Sequence, residues 1–83
     1  MRWIVSRTRP RRWELRARRS EHVLAYVGRD HLGWYWRSDF AGEEGPAASF
    51  PGAKYDAHQA VLRAMRRIVN EADNARRDVW ARA

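Results

Sequence analysis

Residues 12–18 alternate apolar and polar positions: Trp13, Leu15 and Ala17 fall on one side of an extended chain, Arg12, Glu14, Arg16 and Arg18 on the other. A period of two marks a strand with one face buried. Arg19-Ser20 then supplies a tight turn, and residues 21–27 form a second strand rich in β-branched and aromatic side chains. Two facings suit that strand, one burying Val23, Ala25 and Val27, the other Leu24 and Tyr26. Gly28-Arg29-Asp30-His31 reads as the next turn. A third strand follows over residues 32–37, with Leu32, Trp34 and Trp36 on one face and Gly33, Tyr35 and Arg37 on the other. Residues 2–7 offer a further strand before Pro10 interrupts it. The alternation stops over residues 38–54, which read as a loop with a short edge strand at 47–50 ahead of Pro51-Gly52.

The last third of the chain has a different period. Val61, Met65, Ile68, Ala72, Ala75 and Val79 recur at intervals of four and three, while Arg63, Arg66, Arg67, Asn70, Asp73, Asn74 and Arg77 fall off that stripe. This is an amphipathic helix over residues 55–82. Asp56 and Gln59 fit a capping arrangement at its start, Tyr55 is placed to fold over Ala60, and Asp73–Arg77 and Asp78–Arg82 are spaced as i,i+4 ion pairs. The expected fold is α+β, a three- to four-stranded antiparallel meander packed on one long C-terminal helix. It is a single domain with a basic segment at 1–11, the meander at 12–37, the loop at 38–54 and the helix. The core is expected at Trp13, Leu15, Leu24, Tyr26, Trp34, Trp36, Val61, Met65 and Ile68. Strands of six or seven residues reach about 20–24 Å, and a helix from residue 57 to 81 about 37 Å. The sheet therefore covers only the first half of the helix. The amino-terminal segment, a second copy of the chain or a partner must cover the rest, unless the helix kinks or ends near residues 71–74; a two-fold dimer through the overhang, at Ala72, Ala75, Arg76, Val79 and Trp80, is the preferred cover.

Composition narrows the chemistry. The 83 residues include five Trp, and 45% of positions are hydrophobic, enough apolar material for one small core. There is no Cys, which excludes disulfides, thiolate metal sites and Cys nucleophiles and points to a reducing cytoplasm. The only apolar run near the start is Trp3-Ile4-Val5, so neither a signal peptide nor a membrane span is expected. The three His stand nine and 27 residues apart, a spacing that fits no compact metal motif, and neither a metal nor another cofactor is expected. No Gly-x-Ser-x-Gly turn surrounds any Ser, and Glu43-Glu44 are neighbours in a loop that point apart, so no enzymatic role is expected.

Charge changes the picture most. The net charge is +7, and it is uneven: residues 1–20 hold eight Arg against Glu14, the middle is acidic, and residues 57–83 hold six Arg against three acids. Sixteen of the seventeen basic residues are Arg, which pairs with phosphate or carboxylate through two parallel hydrogen bonds where Lys cannot; GC-rich codon usage accounts for the same bias. If the Trp pair faces the helix, Tyr35 and Arg37 share the outer face of the sheet with Arg12, Arg16 and Arg18. Such a face suits nucleic acid, Arg neutralising phosphate and an aromatic stacking on an unpaired base. The expected nucleic-acid contacts are Arg7, Arg9, Arg11, Arg12, Arg16, Arg18, Arg19, Tyr35 and Arg37, with Arg63, Arg66 and Arg67 adding to them from the helix. The rival expectation is a protein-interaction module that docks on an acidic protein through the overhanging helix end.

Two resemblances bear on this. Short, and rich in Arg, Ala and Trp, the chain resembles the small accessory proteins of actinobacteria and their phages. In element order over residues 12–70, three antiparallel strands and then a helix, it is similar to phage-integrase arm-binding domains and to the plant ethylene-response type of DNA-binding domain. That similarity implies readout of the DNA major groove by the sheet and carries over no individual residue.

Overall fold

A computed structural model describes residues 1–6, 12–18 and 22–82, with side chains described as far as residue 77. Five strands, β1 (Arg2–Val5), β2 (Arg12–Arg16), β3 (Val23–Asp30), β4 (Gly33–Ser38) and β5 (Glu43–Ala47), precede one helix, α1 (Phe50–Arg82). Every neighbouring pair is antiparallel and the sheet order is the chain order, β1-β2-β3-β4-β5. The architecture is the expected α+β meander on a helix, with five strands in place of three or four.

The short edge strand expected at 47–50 does not form there, because residue 50 already belongs to α1; the edge strand is β5, at residues 43–47, in a stretch whose composition reads as a loop. Pro46 lacks the N–H a central strand needs, but on an edge it costs nothing. Gly45 is useful there for a second reason: a Cβ at this position would stand 3.1 Å from Nε1 of Trp36, so the glycine leaves room for the indole. The β3–β4 turn also lies two residues later than the sequence suggests. Asp30 pairs with Gly33, Asp30 Oδ1 accepts the Leu32 N–H at 2.8 Å, and Gly33 takes φ 120°. Leu32 consequently sits in the turn at 85% exposure and not on the Trp34–Trp36 face.

A bulge decides the ambiguous facing of β3. Leu15 pairs with Ala25 but Arg16 pairs with Val23, so Leu24 has no partner of its own. The extra residue lets Leu24 join Ala25 and Val27 in the core. Tyr26 and Trp13, both expected in the core, lie outside it: Tyr26 is half-buried on the opposite face, and Trp13 is half-buried at the rim against Phe50. The core is built from Leu15, Leu24, Ala25, Val27 and Trp36 of the sheet against Ala53, Ala57, Ala60 and Val61 of α1, with Trp3, Trp34, Phe50 and Met65 packed around it. The small helix residues let α1 approach the sheet closely.

The helix starts five residues before the expected position. Ser49 Oγ accepts the Gly52 N–H at 3.1 Å, and the Ser49 carbonyl accepts the Ala53 N–H at 2.9 Å. Ser49 is thus the N-cap, and Pro51 stands in the first turn, where its missing N–H has no helical partner to lose. Tyr55, 65% exposed, staples nothing. Beyond Met65 every described helix residue is exposed, including Ile68 at 54% and Val69 at 58%. Ile68 is therefore not core: the helix runs past the sheet, as the length comparison requires, and gives the molecule a long dimension of 56 Å.

Candidate nucleic-acid interface

The outer face of the sheet, away from α1, carries Arg12, Glu14 and Arg16 of β2, Tyr26 and Gly28 of β3, and Tyr35 and Arg37 of β4. Alternation and register bring these together as expected. Their chemistry is more inward-directed than a row of free cations. Glu14, 7% exposed, stands between two guanidinium groups: Arg16 Nη2 donates to it at 2.9 Å and Arg12 Nε lies 3.9 Å away. The Arg12 guanidinium carbon is 3.5 Å from the centre of the Tyr26 ring. Both Arg side chains are more than four-fifths buried, and their Nε atoms have no hydrogen-bond partner.

Tyr35 is engaged as well. Its ring meets Tyr26 edge to face at 6.3 Å and lies against the backbone of Gly28, where a Cβ would be 2.6 Å from its Cζ. Arg37 donates to Asp39 at 2.9 Å and comes within 4.0 Å of Glu44. The Asp39 hydrogen bond and charge, with Tyr26 and Glu44 adding less, raise its pKa above the usual Arg value, so its charge is permanent. Arg18 is exposed just beyond β2. Arg7, Arg9, Arg11 and Arg19 lie outside the described residues.

The second cationic surface is on α1. Positions 63, 66, 67, 70, 74 and 77 fall within about 100° of one another around the helix. They place Arg63, Arg66, Arg67, Asn70, Asn74 and Arg77 on one exposed face. Arg63 Nη2 reaches both Glu43 carboxylate oxygens at 3.4 Å, a pair that is about half exposed and so weakly held. Arg66, Arg67, Arg76 and Arg77 have no carboxylate within 4 Å among the described residues, and the expected Asp73–Arg77 pair does not form. Asp78–Arg82 lies outside the described side chains. Of the expected partner contacts, Ala72, Ala75 and Arg76 are exposed on this overhang. Val79 and Trp80 belong to its helical backbone, with side chains outside the described set.

A third feature was not visible in the sequence. Trp13, Arg29, Asp30, His31 and Trp34 line an open groove of about 650 Å³ at the end of the sheet where α1 begins. The Trp13 and Trp34 rings meet at 6.1 Å and both pack against Phe50, at 4.6 and 5.2 Å, with all planes tilted, and Arg29 lies 5.4 Å from the Trp34 ring. Arg29 and Trp34 are cross-strand partners only because the β3–β4 turn falls at residues 31–32. A turn placed at Gly28 hides that pairing.

His22 precedes β3, His31 lies in the β3–β4 turn and His58 in α1, and the described residues contain no cluster of His, Asp and Glu suited to a metal ion. Glu43 and Glu44 occupy successive strand positions and therefore face opposite sides of the sheet. No helix of the described residues is long and apolar enough to cross a membrane. No protein-family model, curated protein or solved structure matches the chain.

Proposed function

We propose that this protein is a non-enzymatic nucleic-acid-binding module whose main contact is the exposed Arg/Asn face of α1. The observation that carries this is the contrast between its two arginine sets. On the sheet, Arg12 and Arg16 share the buried Glu14 and Arg37 is tied to Asp39, so much of their charge is spent within the fold. On the helix, Arg66, Arg67 and Arg77 project from a rod with no acid partner among the described residues, with Asn70 and Asn74 between. Arg neutralises phosphate or forks onto a guanine edge, Asn pairs with an adenine edge, and an isolated helix fits the width of the DNA major groove. The basic segment at 1–11, with Arg7, Arg9 and Arg11, and the connection from β2 to β3, with Arg18 and Arg19, add phosphate contacts in this reading. Tyr35 supports the sheet in place of stacking on a base.

Titration of the intrinsic Trp fluorescence with duplex DNA, single-stranded DNA and RNA at about 50 and 200 mM salt tests the reading. If about six phosphates are neutralised, log K falls with log salt at a slope near −5, close to a thousandfold across that range. Reversing Arg66 and Arg67 together to Glu removes about two contacts and should bring the slope to about −3 while leaving the thermal melt unchanged. Preference for single strands would shift the main contact to the Trp13–Trp34 groove, where a base has an aromatic wall and Arg29 a phosphate. Absence of binding at 50 mM salt overturns the proposal and leaves docking on an acidic protein as the use of this surface.

A further inference from the structure

The apolar stripe of α1 continues past the point where the sheet ends. Val61 and Ala64 are buried under the sheet, at 0% and 4% exposure, whereas Ile68, Ala72 and Ala75 on the same side of the helix are exposed. The spacing 61, 65, 68, 72, 75, 79 alternates four and three, the heptad repeat that keeps one seam facing a second helix. Leu62, Met65 and Val69 widen that seam along one flank and frame a shallow apolar groove of about 240 Å³ with Arg66 and Asn70. We propose that a second copy of this chain covers the seam, with the two overhanging helices antiparallel.

The orientation follows from where the sheet lies. It occupies the seam side of residues 50–65, so two parallel helices meeting along that seam would drive one sheet into the other. Antiparallel helices avoid this. Setting position 72 across from position 75 of the second copy also sets 68 across from 79 and 65 across from 82. Each layer then pairs the two kinds of seam position, with small alanines at the centre where the backbones can approach. In this register each overhang, residues 66–82, lies along the other overhang and ends where the other copy's sheet begins. The second helix thus fills the layer beside α1 that the sheet fills in the first half of the molecule. The aliphatic stem of Arg76 covers Val69 of the second copy and keeps its guanidinium at the rim.

The seam is short. A 17-residue overhang is about 25 Å long and, at its solvent-accessible surface, about 14 Å across, and covering some two-fifths of that surface buries on the order of 400–450 Å² per copy. The total falls at the lower end of specific interfaces, so the dimer is reversible, with dissociation at micromolar chain concentrations. The Arg/Asn face points away from the seam, and dimerisation stands independently of nucleic-acid binding. The two respond oppositely to salt: chains of +7 repel each other, so added salt tightens the dimer, while it weakens phosphate binding.

Sedimentation of the full chain between about 1 and 300 µM tests the proposal, with a shift from 9.8 kDa to twice that mass expected. Ile68→Glu should leave a monomer throughout with an unchanged thermal melt at low concentration, because Ile68 touches no sheet residue in the core. The absence of Cys allows single labelling sites, and spin labels at Tyr55→Cys and at Asn74→Cys read the orientation. The antiparallel register places the two position-55 labels about 55 Å apart along the axis and the position-74 labels nearly level. A monomer at every concentration, a dimer indifferent to Ile68→Glu, or position-55 labels within about 25 Å overturns the proposal. Loss of nucleic-acid binding without loss of dimer overturns only the functional reading.

Discussion

Ser38 is 1% exposed and holds two parts of the sheet together. Its hydroxyl donates to the Leu24 carbonyl at 2.7 Å, at the β3 bulge, and accepts the Ala41 N–H at 2.9 Å, in the β4–β5 turn. Replacing it with Ala leaves a buried carbonyl and a part-buried N–H unpaired; we expect Ser38→Ala to cost about 1–3 kcal/mol in chemical denaturation, with little change in surface chemistry. Gly28 tests the other face. Its missing side chain is the seat of the Tyr35 ring, so Gly28→Ala must displace Tyr35 and disturb its edge contact with Tyr26. A loss of about 1–3 kcal/mol is expected. Gly28→Ala together with Tyr35→Ala should recover part of the loss, because the added methyl group then meets open space. A double-mutant cycle that shows no coupling between the two would sink this account of the outer face.

The elements were legible wherever one residue's side settles the side of its neighbours. Leu15 on β2, Trp34 and Trp36 on β4 and the helix stripe through Met65 all lie on the face their alternation implies, and Trp13 meets Phe50 of the helix on that same side. What escaped was geometry set by pairing. Leu24 reaches the core through a bulge that exists only because Arg16 pairs with Val23, and β5 is a strand because β4 offers it an edge, not because Glu-Glu-Gly-Pro-Ala favours extension. The helix start was misplaced for a different reason: Pro51-Gly52 is a breaker inside a helix but is tolerated in its first turn behind a Ser cap. Of the site, the outer-face membership of Arg12, Arg16, Tyr35 and Arg37 was readable, while the neutralising role of Glu14 needed the three-dimensional spacing. The cap is testable on its own. Ser49→Ala should destabilise the protein by about 1 kcal/mol and fray the first turn, seen as faster hydrogen exchange at Gly52 and Ala53. Ser49→Asp should preserve the cap and add a favourable charge to a first turn that carries no acid.

At the scale of the molecule, the sheet and the first half of α1 form the folded body, and the rest of the helix is an appendage to it. Every core contact of α1 is made by residue 65 or earlier. Truncation after Asn70 therefore removes almost no buried surface from the isolated chain. It should lower stability by no more than about 1 kcal/mol, the loss being confined to helix hydrogen bonds that gain little outside tertiary packing. Trp36→Ala is the contrasting change: 9% exposed and lodged against Val27 and Gly45, its indole occupies the middle of the body, and about 3–5 kcal/mol should go with it. A chain of this size has a total stability of roughly 5–10 kcal/mol, so the second variant should melt far below the first at low concentration. Raising the concentration distinguishes them again. If the overhang pairs with a second copy, the full-length protein gains melting temperature with concentration by mass action and the chain truncated after Asn70 does not. Comparable losses from the two variants would mean that the overhang is packed against the body of its own chain, and the division between body and appendage would fail.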